Sequence, residues 1–142
     1  MDGTSPAAVA VDTALPASTG KLHDALSRTW PQLRLRVSFE ARSLDSIELQ
    51  PDDVVVSSHA CGALADLVID RALAARARVA VLPCCHVLKV NDQGALSGWV
   101  DGALAVDIMR AIKLEQHGYR VRTQTIPATV TPKNRLLLAT PA

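Results

Sequence analysis

The sequence predicts an α/β fold: a Rossmann-like sheet, mostly parallel, with helices on its faces and an antiparallel hairpin at its carboxyl end. Three observations predict it. "VVVSS" (54–58) and "VAVLP" (79–83) are unbroken apolar runs, as suits strands covered on both faces of a parallel sheet. Helix-spaced apolar residues follow the first run and recur after the second. The tail, "YRVRTQTIPATVTPKNRLLLAT", reads as two strands around a Pro-containing loop.

Taken in order, the stretch "MDGTSPAA" is expected to be flexible, and "AVAVD" is a short apolar strand ending in Asp12. "TALPASTG" is a loop. "KLHDALSRTW" reads as a helix with Leu22, Ala25 and Leu26 on one side, closed by Pro31. "LRLRVSF" alternates, with Leu33, Leu35, Val37 and Phe39 against Arg34, Arg36 and Ser38, which predicts a half-exposed edge strand. From Gly62 onward, Leu64, Leu67, Val68, Ala72 and Leu73 mark a helical face. A longer helix is expected over Val100 to Gln116, with Leu104, Ile108, Ala111 and Ile112 inward and Gly118 beyond its end.

At 142 residues the chain fits one domain, 1–142. A hydrophobic share of 49% suits a globular core, which Leu, Val, Ile and Ala must fill because aromatic residues make up only 3%. A formal net charge of +1 gives no field that argues for nucleic acid or a membrane surface. No apolar run approaches the roughly 20 residues that span a bilayer. Three cysteines, two of them adjacent, make no disulfide framework, so reduced thiols in a cytoplasm are expected.

The chemistry-bearing residues gather at two strand ends. Ser57, Ser58, His59 and Cys61 follow the first apolar run, and Cys84, Cys85 and His86 follow the second. In a parallel sheet these ends share one rim, so the two clusters are expected to face one site, within roughly 10 Å of each other. Cys and His suit zinc. Adjacent cysteines in a strand point to opposite faces, however, and both reach one ion only where the backbone bends. Buried thiols beside a cofactor pocket are therefore the expected reading, with no metal. His59 and His86 are candidate general bases or structural histidines. Asp66 is either a site residue or an acid favoured by the dipole at a helix N-terminus. His23 and His117 suggest no function.

With these motifs laid out, the chain resembles the class I S-adenosylmethionine-dependent methyltransferases. Within them it is similar to a group that pairs H-x-C-G-x-x-x-D (His59, Cys61, Gly62, Asp66) with C-C-H (Cys84, Cys85, His86) and includes tRNA ribose methyltransferases. The resemblance implies a cofactor, S-adenosylmethionine, with its ribose held by Asp12, its adenine beside Glu40 and Ala41, and its methionine end near Ser57 and Ser58. Catalysis would fall to His59 or His86, with Cys61, Asp66, Cys84 and Cys85 as substrate-binding or structural residues. The acceptor is unknown; RNA enters by family analogy. The family opens with a strand, a glycine-rich turn and a helix, for which the eight residues before Val9 leave no room. The expectation is thus an incomplete domain that forms a homodimer or binds a partner supplying the missing unit. The alternative is a non-catalytic remnant of the fold acting as a binding or assembly partner.

Overall fold

The structure, a computed structural model, describes residues 7–142; residues 1–6, part of the stretch expected to be flexible, lie outside the described residues. The chain is a mixed α/β protein with two sheets. It divides into two compact units, one ending at Glu48 and one spanning Leu49–Ala142.

In the first unit, β1 (Ala8–Asp12) pairs in parallel with β2 (Val37–Ala41), and the crossover carries α1 (Thr19–Thr29) and α2 (Leu33–Arg36). Here the expected edge strand over "LRLRVSF" is corrected. Behind Pro31 the amides of Leu33 and Arg34 donate to the carbonyls of Trp30 and Pro31, which winds four residues into a helical turn. Leu35 is consequently 94% exposed, and extended backbone begins only at Val37. The apolar side expected of α1 is also open: Leu22 is 60% exposed, and the buried residue of the helix is Ser27. His23, to which the sequence assigned nothing, packs edge-on against Phe39 at 5.3 Å between ring centroids.

The second unit holds a four-stranded mixed sheet in the order β3-β4-β6-β5, built from Val54–Ser57, Arg78–Val81, Arg135–Pro141 and Tyr119–Thr125 respectively. β3 and β4 are parallel neighbours, as expected, and β5 and β6 form the expected antiparallel pair. β6 lies between β4 and β5, antiparallel to both. The single open sheet of the sequence reading is therefore corrected to one parallel and one mixed sheet. β3 is an edge strand, so its apolar run is not covered on both sides: Val54 and Val56 are 54% and 72% exposed.

Two helices pack on this sheet, α3 (Ala63–Ala75) and α4 (Gly102–Gln116). α3 buries Val68 and Ala72, as expected, together with Ala65 and Ile69, while the expected Leu64 is exposed and Leu67 and Leu73 are only half-buried. α4 buries Ala105, Val106, Arg110 and Leu114. The expected Leu104, Ile108, Ala111 and Ile112 instead line an open apolar cavity of about 500 Å³ against Thr123 and Leu136. Val79 and Val81 stand opposite Ala139 and Leu137 in register, so these four buried side chains share one face and form the sheet side of the core. Tyr119 locks the end of α3 to the start of β4, its hydroxyl lying 3.0 Å from the carbonyl oxygens of both Ala72 and Ala77. Among the described residues no helix is long and apolar enough to cross a membrane.

Candidate functional site

Parallel pairing of β3 and β4 carries both motifs to one corner. Ser57 stands opposite Val81, and the Leu82 amide donates to the Ser57 carbonyl at 2.8 Å, extending the ladder one step past the strands. Pro83 lacks an amide hydrogen and ends the pairing. Cys84 and Cys85 therefore lie in irregular chain, and the strand geometry that would send adjacent side chains to opposite faces does not apply. Gly62, before α3, adopts φ +57° and ψ −127°, a conformation open essentially to glycine alone. That turn lets its amide donate to the Cys85 carbonyl at 3.0 Å, which ties the two loops together.

The sulfurs meet in front of this tie. Cys61 Sγ lies 2.9 Å from Cys84 Sγ, and the three cysteine sulfurs all fall within 4.8 Å of one another. Cys61 and Cys85 are exposed and Cys84 partly so. The shared hydrogen bond polarises the first pair. The Cys61 thiol, donating to Cys84 and secondarily to Cys85, is pushed up to about 12. Cys84 is lowered from its ordinary 9.0 because Cys61 donates to its thiolate, which outweighs the opposing effect of partial burial. The contact thus shifts the two sulfurs in opposite directions, Cys61 upward and Cys84 downward.

Behind the sulfurs runs a network of ions that the sequence reading did not anticipate. Arg110, 3% exposed, donates from Nε and Nη2 to the two oxygens of Asp66 at 2.7 and 3.1 Å. Its Nη2 also reaches the Gly62 carbonyl at 3.1 Å, and Nη1 reaches Asp107 Oδ1 at 3.3 Å. Asp107 accepts from His86 Nε2 at 2.8 Å and from Arg135 Nε at 2.7 Å. A carboxylate can only accept, so the His86 proton on this bond is on Nε2. Asn91 closes the circuit, donating to Asp66 at 2.7 Å while its carbonyl receives the Val87 amide at 2.8 Å. The last residue of each motif, Asp66 and His86, thus anchors its cysteine loop to α4. One signal for the network was present in the sequence: Asp107 and Arg110, a charged pair three apart within the otherwise apolar stretch 104–112.

The remaining expected residues divide between the units. Asp12, Glu40 and Ala41 belong to the first; the Asp12 carboxylate receives the Thr13 hydroxyl and the Ala14 amide, and Glu40 pairs with Arg42 at 3.1 Å. Ser57, Ser58 and His59 belong to the second, with Ser58 and His59 exposed between β3 and the buried Ala60.

No family model matches the chain, and no solved structure matches it. A curated relative, a glutathione S-transferase C-terminal domain-containing protein of Xenopus laevis, is 26% identical over 122 residues. The match covers 61% of this chain, and the chain spans 20% of that relative's length. This similarity corrects the methyltransferase expectation, including its non-catalytic variant. That relative is named for a glutathione S-transferase C-terminal domain and not for a methyltransferase. Within the two motifs, Gly62 ties the loops, Asp66 and His86 brace them and the three cysteines converge, while His59 stands exposed.

Proposed function

We propose that this chain is a thiol–disulfide exchange module, with Cys84 as the attacking sulfur and Cys61 as the resolving one. The observation that carries the reading is the 2.9 Å approach of the two sulfurs, on loops already joined through Gly62 and Cys85. A disulfide requires about 2.05 Å, so small side-chain rotations of about 1 Å complete the bond while the strands stay in place. The Cys84 thiolate attacks one sulfur of a small disulfide, forming a mixed disulfide and releasing one thiolate. Cys61 then loses its proton to solvent and attacks Cys84 Sγ, which forms the internal disulfide and releases the second thiolate. Two electrons pass from the protein to the substrate. The name of the frog relative makes glutathione disulfide the substrate to try first. In a reducing compartment such as the cytoplasm, the resting form is the dithiol.

The test is equilibration of the intact chain in buffers of graded glutathione to glutathione disulfide ratio, then acid quenching, alkylation and peptide mass mapping. The expected product is a Cys61–Cys84 bridge that reverts on addition of reduced glutathione. A chain that stays fully reduced across the series, or one that bridges Cys84 to Cys85 instead, would overturn the reading.

A further inference from the structure

We infer that Cys61, Cys84 and Cys85 together form a binding site for one soft d10 cation, Zn²⁺ or Cu⁺, through three thiolates. The inference uses the same sulfurs as the exchange reading but does not depend on it, since metal binding needs all three thiols reduced and no disulfide.

The argument begins with ligand number and kind. Two sulfurs suffice for a disulfide, yet a third lies within 4.8 Å of both others. A zinc ion with bonds of about 2.3 Å holds its sulfurs roughly 3.8 Å apart in tetrahedral geometry. A spread limited to 4.8 Å is therefore within side-chain rotation of a coordinating set. The obstacle raised by the sequence, adjacent cysteines on opposite strand faces, is removed by the irregular chain after Pro83. The backbone is also fixed in advance. The Gly62–Cys85 hydrogen bond joins the two ligand loops, and Arg110 holds the Gly62 carbonyl from behind while binding Asp66. His86, next to Cys85, is tied to Asp107 on the same α4. The ligand loops are thus braced by buried and partly buried hydrogen bonds, the support that fixes first ligands in metal sites.

The donor set selects the ion. All three donors are sulfur, and no carboxylate or imidazole joins the group among the described residues. Such a set favours Zn²⁺ and Cu⁺ over Mg²⁺ or Ca²⁺, which prefer oxygen. Cys61 and Cys85 are exposed, so a three-sulfur complex is open to solvent. With zinc a fourth position is left for water or an external thiol, the arrangement of reactive rather than closed structural zinc. Cu⁺ accepts the trigonal set as it stands.

The decisive measurement is titration of the full, reduced chain with Co²⁺, Zn²⁺ and Cu⁺ under anaerobic conditions with a non-thiol reductant. Co²⁺ should give thiolate-to-metal charge-transfer absorption at one ion per chain, and Zn²⁺ or Cu⁺ should displace it. Bound zinc should protect all three cysteines from maleimide, read peptide by peptide. Cys61→Ser, Cys84→Ser and Cys85→Ser should each weaken zinc binding by at least about 100-fold. Should a variant fail to fold, the wild-type absorption and protection decide alone. Absence of the charge-transfer band, or protection confined to Cys61 and Cys84, overturns the three-sulfur site. Neither result bears on the Cys61–Cys84 bridge, which is read separately in glutathione buffers. Displacement by Cu⁺ but not Zn²⁺ assigns the site to the monovalent ion, and the reverse assigns it to zinc.

Discussion

The front and back of the cysteine corner are built from the same two loops by opposite means. In front, three sulfurs meet within 4.8 Å of one another, Cys61 and Cys85 exposed and Cys84 partly so. Behind, Arg110 and two aspartates are joined by hydrogen bonds in a partly buried network, with Arg110 itself 3% exposed. The front is where chemistry can occur, because a thiolate must be reached to react. The back makes the front reproducible, because a buried ion that loses its partner is costly and the network tolerates few alternative arrangements. Reactivity and rigidity are therefore separable at this corner, and substitutions on the two sides should behave differently.

The largest expected effect is at the back. Arg110→Ala leaves Asp66 and Asp107 without their shared guanidinium and should cost about 3–5 kcal/mol, the scale for breaking a buried ion pair. Arg110→Lys should not restore it, because an ammonium cannot serve both Asp66 oxygens, Asp107 and the Gly62 carbonyl in one planar fork. Urea unfolding followed by far-ultraviolet circular dichroism measures both. A loss under about 1 kcal/mol for Arg110→Ala would mean that the network is not what braces the corner.

Next comes the tie between the sides. Gly62→Ala places a methyl group 3.1 Å from Val87 Cγ2 in a conformation that side chains rarely adopt. The expected cost is about 1–3 kcal/mol. Its sharper signature is functional: if the backbone relaxes out of this conformation, the Gly62–Cys85 hydrogen bond is lost and Cys61–Cys84 bridging should slow. Unchanged bridging in a destabilised Gly62→Ala protein would show that the sulfurs find each other without the tie.

The convergence of the motifs was legible because it follows from short-range rules. Two apolar runs read as parallel strands, and parallel neighbours bring Cys61 and Cys84 to the same end. The brace was not legible. Asp66 and Arg110 are 44 residues apart, and helical periodicity treats Arg110 as an interruption rather than as the partner of a distant carboxylate. The division into two sheets was equally hidden, because an apolar run reports burial and not which strand it pairs with. The run in β3 shows the limit even of that, with Val54 and Val56 on an open edge. At α2 the alternation of Leu33 and Leu35 imitated a strand, since four residues are too few for helical periodicity to declare itself and the turn is set by local hydrogen bonds behind Pro31.

The smallest expected effect on stability, and the most specific on chemistry, lies at the front. Cys61 is exposed and belongs to no buried cluster, so Cys61→Ala should change unfolding free energy by no more than about 0.5 kcal/mol. The substitution nevertheless removes the donor that stabilises the Cys84 thiolate. In the wild-type chain, iodoacetamide labelling of Cys84 should rise with pH and reach half its maximal rate below 9.0, because its lowered value makes thiolate available there. Labelling of Cys61 should stay slow through the same range, since a thiol pushed up to about 12 remains protonated. In Cys61→Ala the Cys84 midpoint should move upward, as only the opposing effect of partial burial and weaker hydrogen bonds remain. Peptide-resolved mass spectrometry across the pH series reads each cysteine separately. A Cys84 midpoint that does not move when Cys61 is removed would show that the two sulfurs titrate independently. Cys84 would then have no claim to be the attacking sulfur, whatever their separation.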